Sequence, residues 1–288
     1  MVIRPELIPN MKMGRAYELR QVYNGKVNTS AECIIANIRR NIRRHLPQMN
    51  LWGHTGADRC ILLGGGPSLD EHVDEIRKLR RAGWKLATLN GAHNWCADRE
   101  LVPSVHIQLD ARDFNARFVE RPVPTCAYLI ASQSSPKVFD RLENNNVWIW
   151  HGVSDPKERA VLDKFYLRRW INVHGGTTVG TRAPNLLHMM GFNKINVYGM
   201  DSCLRGGKHH AYAQEENNSS QLFEVRSGNR RFQCHPWMAV QADEFMQMIP
   251  HYPDDLMLSF RGRGLLAHII EQTANTGRPP PLHFRQIK

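Results

Sequence analysis

An α/β fold with a mostly parallel sheet and helices on both faces is the architecture this chain predicts, and three observations predict it. Short apolar runs alternate with stretches of helical periodicity along most of the length. Two glycine-rich junctions, Gly64-Gly65-Gly66-Pro67-Ser68 and Gly175-Gly176-Thr177-Thr178, lead directly into a helical pattern. Three apolar runs end on a polar residue: Asn90, Asp110 and Asp201. Alternation of this kind is the signature of parallel strands buried on both faces by crossover helices.

In chain order, residues 1–30 show no periodicity and read as an extended arm. Ile34, Ile35, Ile38, Ile42 and Leu46 then recur at helical spacing, flanked by Arg39, Arg40, Arg43 and Arg44, which predicts a basic amphipathic helix over 31–46. Strands are expected at 60–63, 84–89, 105–109, 126–131, 147–150 and 195–198. Helices are expected at 69–82, where Val73, Ile76 and Leu79 share a face, at 92–98 and at 178–190. Beyond residue 201 a long polar loop runs to 220, then a hairpin over 221–235 turns at Ser227-Gly228-Asn229. Helices are expected over 236–249 and 264–274, and a tail with Pro279, Pro280 and Pro281 is not expected to be packed throughout. The chain divides on this reading into an N-terminal arm and basic helix (1–54), a nucleotide-binding domain (55–215) and a C-terminal hairpin with helices on the same domain (216–288).

Composition narrows the function classes. The 288 residues are 42% hydrophobic and 23% charged, enough for a core and ordinary for a soluble protein. A net charge of +11 favours anionic partners without choosing among nucleotides, nucleic acids and phospholipid surfaces. The six cysteines form no C-x-x-C pair, which argues against a disulfide framework and a zinc site. No apolar run approaches the length of a membrane span and no apolar block opens the chain, so a cytoplasmic location is expected.

The first junction is the strongest local feature. Glycines let the backbone turn sharply and approach a ligand, Pro67 fits a first helical turn, Ser68 can cap, and helix-end amides favour phosphate. The spacing matches neither the dinucleotide fingerprint nor the P-loop, and a tight strand-to-helix turn alone also explains the glycines. Gly175, Gly176, Thr177 and Thr178 repeat the device, and two such junctions in one sheet suggest opposite walls of a crevice. Asn90 suits a base or sugar hydroxyl. Asp110, with Asp113 beside it, suits Mg²⁺ or a hydroxyl, although Asx residues also serve as caps and turn formers. His209 and His210, on a loop hinged by Gly206 and Gly207, offer a general base near neutrality but no evident metal set.

The turn at Gly64 to Leu69, the segment Gly175 to Gly180, the strand end at Gly199 to Asp201 and the downstream histidines, in this order, resemble one family. It groups motility accessory factors implicated in flagellin glycosylation with archaeal 6-hydroxymethylpterin diphosphokinases. It is similar in fold and first motif to bacterial sialyltransferases that use CMP-sialic acid. The resemblance covers residues 55–215 and implies a Rossmann-like nucleotide-binding domain. In its sialyltransferase-like form it implies a donor beside Gly65 to Ser68, a nucleotide contact at Asn90, and His209 or His210 as base. In its diphosphokinase form it implies Mg²⁺ and ATP held at Asp110 and Asp201. Gly65 departs from the asparagine or alanine that many members carry there.

Three functions are therefore weighed. The first is a glycosyltransferase using a UDP- or CMP-linked sugar. Members of the family occur in phage genomes, so a hydroxyl on a modified DNA base in the host cytoplasm is one acceptor, with Arg39, Arg40, Arg43 and Arg44 on DNA phosphates. The second is a Mg-dependent diphosphokinase of the 6-hydroxymethylpterin type. The third is a non-catalytic nucleic-acid-binding protein built on a transferase fold.

Overall fold

A computed structural model describes residues 2–3, 29–49, 56–153, 155–214 and 221–287. The expected N-terminal arm lies almost wholly outside the described residues. In chain order the strands are β1 (Val2–Ile3), β2 (Arg59–Leu63), β3 (Lys85–Leu89), β4 (Val105–Gln108), β5 (Ala127–Ala131), β6 (Asn146–Trp150), β7 (Lys194–Tyr198), β8 (Leu222–Ser227), β9 (Arg230–Cys234), β10 (Met257–Phe260) and β11 (His283–Ile287). The α-helices are α1 (Ala31–Ile42), α2 (Val73–Arg81), α3 (Ala92–Ala97), α4 (Pro136–Arg141), α5 (Pro156–Tyr166), α6 (Val179–Met189), α7 (Pro236–Met248) and α8 (Leu265–Thr276). This is the expected α/β class, with mostly parallel strands.

The chain forms two compact units, each assembled from separated segments. Among the described residues, one comprises 2–3, 61–83, 193–214 and 221–287, the other 29–49, 56–60, 84–153 and 155–192. In the first, β7 lies between β2 and β10, β10 runs parallel to β7 with Leu258 opposite Ile195, and β1 adds antiparallel to β10. A separate antiparallel sheet, ordered β11-β8-β9, carries the expected hairpin, whose turn is Gly228-Asn229 between the paired Ser227 and Arg230. Gly228 has φ +55, the left-handed backbone that such a two-residue turn requires. The tail is paired only in part: β11 pairs with β8 from His283 opposite Arg226 to Ile287 opposite Leu222, while no residue of 277–287 is buried, in keeping with a tail not packed throughout. Its three prolines only delay the strand, because pairing is decided by an available edge of β8 and not by local propensity.

In the second unit β3, β4, β5 and β6 are parallel and in that order, with Leu89 opposite Ile107 and Ile107 opposite Leu129. The apolar face of α1 enters its core: Ile38 and Ile42 are buried with Val138, Phe139, Ile149 and Leu162. Two buried asparagines on the same face fix the helix, Asn37 donating to Ala111 and Gln133 carbonyls, Asn41 to those of Ser132 and Ser134. Of the four arginines proposed for DNA, Arg44 pairs with Asp140 and Arg40 lies 3.8 Å from it, while Arg39 and Arg43 are exposed. The helix is therefore first a packed element of the core, with its cations on the outer face.

Candidate functional site

The glycine turn is stitched to the end of β7. Gly64 N–H donates to Tyr198 O at 2.8 Å and Gly66 N–H to Gly199 O at 2.7 Å. A Cβ on Gly64 would lie 2.8 Å from Met200 Cγ, and one on Gly66 2.7 Å from Gly199 O, so bare backbone is needed at both. Gly66, in extended conformation, is the N-cap of a 3-10 turn over Pro67–His72 that continues as α2. Ser68 is thus not the cap. It sits inside the first turn, and its N–H donates to Asp201 Oδ2 at 2.9 Å. Leu69 N–H returns to Gly66 O. The turn consequently spends most of its amides on the protein itself. Among the described residues Gly65 N–H is the amide of this turn that no carbonyl or carboxylate takes.

The histidine loop is brought onto that same glycine. Arg205 and Lys208 exchange both backbone hydrogen bonds (2.9 and 3.0 Å) around Gly206-Gly207, both at positive φ, and Arg205 pairs with Glu71. This tight turn sends His209 and His210 back toward the sheet, where Ala211 N–H donates to Gly65 O at 3.0 Å. A Cβ on Gly65 would meet His210 Cδ2 at 2.6 Å and overlap Tyr212 Oη. Gly65 is glycine because two rings cover it. The His209 and His210 rings stand edge to face at 4.5 Å, and His210 lies 5.3 Å from Tyr212.

Asp201 anchors the centre. Its residue is 5% exposed, and burial raises its pKa from the ordinary aspartate value, against the hydrogen bonds from Ser68 and the charge of Arg205. Two further glycines crowd it, both from the junction of β10 with α8. A Cβ on Gly262 would lie 3.4 Å from Asp201 Oδ1, and one on Gly264 2.5 Å from Asp201 Cα. Nearby Cys203 is a buried thiol pushed up to about 11, inert as a nucleophile.

Asn90, Asp110 and the Gly175 loop belong to the second unit. Asn90 follows β3 with φ +46, and its buried Oδ1 has no hydrogen-bond partner among the described residues. Asp110 is already engaged, since Arg112 donates to it from N at 2.9 Å, from Nε at 3.0 and 3.2 Å and from Nη2 at 2.5 Å. Asp113 accepts from Ser135 at 2.7 Å and pairs with Lys137, which lowers its pKa. At the second junction α6 grips the loop before it by its carbonyls: Arg182 donates to Val173 O (2.5 Å) and Gly176 O (2.9 Å), Thr181 to Thr178 O (2.8 Å), and Asn185 to His174 O (2.9 Å). Arg182 is 5% exposed, a buried cation beneath Gly175. As for metal, among the described residues no three His, Cys, Asp or Glu side chains converge, and both Asp110 oxygens accept from Arg112, so Asp110 does not fit Mg²⁺ as it stands.

A family model described as 6-hydroxymethylpterin diphosphokinase MptE-like matches residues 32–207, more than half of the chain. The chain belongs to the MptE-like family. No curated protein matches the sequence. Among solved structures, the MAf glycosyltransferase from Magnetospirillum magneticum AMB-1 is similar over 94% of this chain with a TM-score of 0.58 and 14% identity. The MptE-like chain spans only 43% of that structure, and the likeness is one of fold. A mammalian sialyltransferase aligns over 88% of both chains at a TM-score of 0.41 and 10% identity.

For this MptE-like protein, sequence reasoning missed Tyr212, Arg182 and the Gly262-Arg263-Gly264 junction. The last carried a signal, since two glycines precede a helical pattern just as at Gly64 and Gly175. Arg182 carried none, because only the fold turns its guanidinium beneath the loop.

Proposed function

We propose that this MptE-like protein is a nucleotide-dependent transferase that moves a sugar from a UDP- or CMP-linked donor onto an acceptor hydroxyl. The observation that carries the reading is the seating of His210 and Tyr212 on Gly65, which sets an imidazole beside the available amide of the turn. In this reading His210 takes the proton from the acceptor hydroxyl as its oxygen bonds to the anomeric carbon of the donor sugar. The bond from the anomeric carbon to the donor phosphate oxygen breaks, and the phosphate leaves with the electron pair toward Gly65 N–H. Asp201 does not touch the reacting atoms; it holds the Ser68 amide and so the shape of the turn. The fold shared with a glycosyltransferase supports the same reading.

The family match favours a second reading, transfer of pyrophosphate from ATP to a small hydroxymethyl compound. With Asp110 bound by Arg112, ATP itself would supply most ligands of its Mg²⁺. Thermal-shift titration separates the two, because a ligand that binds only the folded state raises its apparent stability. A UDP- or CMP-sugar is expected to raise Tm without metal, and His210→Ala is expected to lower donor turnover by roughly 10²–10⁴-fold while leaving that shift in place. A shift with ATP and Mg²⁺ alone, abolished by EDTA, selects the diphosphokinase. Unchanged turnover in His210→Ala removes the histidine from the sugar-transfer mechanism.

A further inference from the structure

Four large hydrophobic residues are notably exposed among the described residues, and three of them fall within one short segment. Phe165 (36% exposed), Leu167 (77%) and Ile171 (49%) follow one another from the last turn of α5 into the loop beyond it. They are interleaved with Lys164, Arg168 and Arg169, all exposed and none paired with a carboxylate among the described residues. Cations after a helix C-terminus complement its dipole, which accounts for the arginines but not for the apolar side chains.

The backbone adds an independent observation. Leu167 and Arg168 both have positive φ, +52 and +62, where a side chain is strained. Leu167 N–H and Arg168 N–H both return to Asp163 O, closing the helix in a turn that normally takes glycine. The fold therefore holds a leucine out in solvent at a position where glycine is easier, with arginines directly after it. Strain kept at a surface position points to function there.

We propose that this segment docks the protein on the surface of an anionic lipid bilayer. Aliphatic side chains of the Leu167 and Ile171 type reach the boundary of headgroups and acyl chains, while adjacent cations meet lipid phosphates and carboxylates. A nucleic acid would satisfy the cations, but the two most exposed apolar side chains of the segment, Leu167 and Ile171, are aliphatic and offer a base neither a stacking face nor a hydrogen bond. Docking is at the interface only, since no described helix is long and apolar enough to cross a membrane. The surface lies within one unit and stands independently of the transferase chemistry proposed above.

The test is co-sedimentation of the full chain with vesicles of phosphatidylcholine, with and without phosphatidylserine. The protein is expected to pellet with the anionic vesicles and not the neutral ones. Arg168→Ser is expected to weaken that binding about fivefold, and Leu167→Ser with Ile171→Ser on the order of tenfold or more. Because all three side chains are exposed, unchanged far-UV circular dichroism and Tm should accompany the loss. No pelleting with either vesicle overturns the proposal. Equal binding by the Leu167→Ser, Ile171→Ser variant overturns it too, as does duplex DNA binding that depends on Arg168 in a chain that ignores vesicles.

Discussion

His151 shows what burial does to a single titratable side chain. The ring is 2% exposed between Tyr166 and Trp170, and neither of its nitrogens has a hydrogen-bond partner among the described residues. Burial pushes its pKa down to about 3, and His93, buried against Tyr128, is lowered to about 4 for the same first reason. The unfolded chain protonates histidine near pH 6.5, so between that value and the folded pKa it binds the extra protons. Stability is therefore fully present above about pH 6.5 and is lost as pH falls through the folded values. His151→Phe, which keeps the aromatic packing, should unfold at a higher temperature than wild type at pH 5 and flatten the loss of Tm between pH 8 and pH 5. An equal loss in both proteins would exclude His151 as a source. At the same scale the sequence made His209 and His210 legible as candidates, but not which one lies on the turn. That depends on Ala211 N–H reaching Gly65 O, a contact no local rule supplies.

Elements were legible where they carried long periodic patterns. The strands of the second unit, α6 and the β8–β9 hairpin lie close to the expected boundaries, while α1 starts at the expected Ala31 but ends at Ile42, a turn before Leu46. The short or strongly charged elements α4, α5 and β10 were not legible, because their apolar positions are few and gain meaning only from the surface that covers them. The glycines at element junctions separate two physical roles. Gly228 needs its left-handed φ, yet a Cβ there would have nothing within 4 Å, whereas Gly264 packs on the backbone of Asp201. Gly264→Ala must push α8 away from Asp201 and should cost roughly 1–3 kcal/mol, with any nucleotide-induced Tm shift lost alongside. Gly228→Ala should cost only about 1 kcal/mol and leave that shift intact. Urea unfolding of the two variants with unchanged m-values, followed by ligand titration, checks both halves. Equal loss of the ligand shift in the two would show that the Asp201 contact is not what matters.

On the scale of the whole molecule, the tail carries the clearest consequence of chain order. β11 covers one edge of β8 and β9 the other, so the last described residues are part of the small sheet. Deleting residues 282–288 should uncover the β8 edge, and amide exchange in Leu222–Ser227 should accelerate while β3 to β6 remain protected. Unchanged exchange in β8 would show the pairing to be dispensable. By itself the sequence determined the class of fold, the positions of the buried strands and the two glycine junctions, because apolar period and turn chemistry are local properties. Only the tertiary structure decided which of those residues meet. Ser68 and Asp201 are 133 positions apart, yet they share a hydrogen bond, and that bond takes the amide that local reasoning assigned to a phosphate. The stitching of Gly64 and Gly66 to the end of β7, the rings over Gly65 and the leucine held out beyond α5 belong to the same class. Such contacts are set by which segments the sheet brings side by side, and a residue's neighbours along the chain do not contain that information.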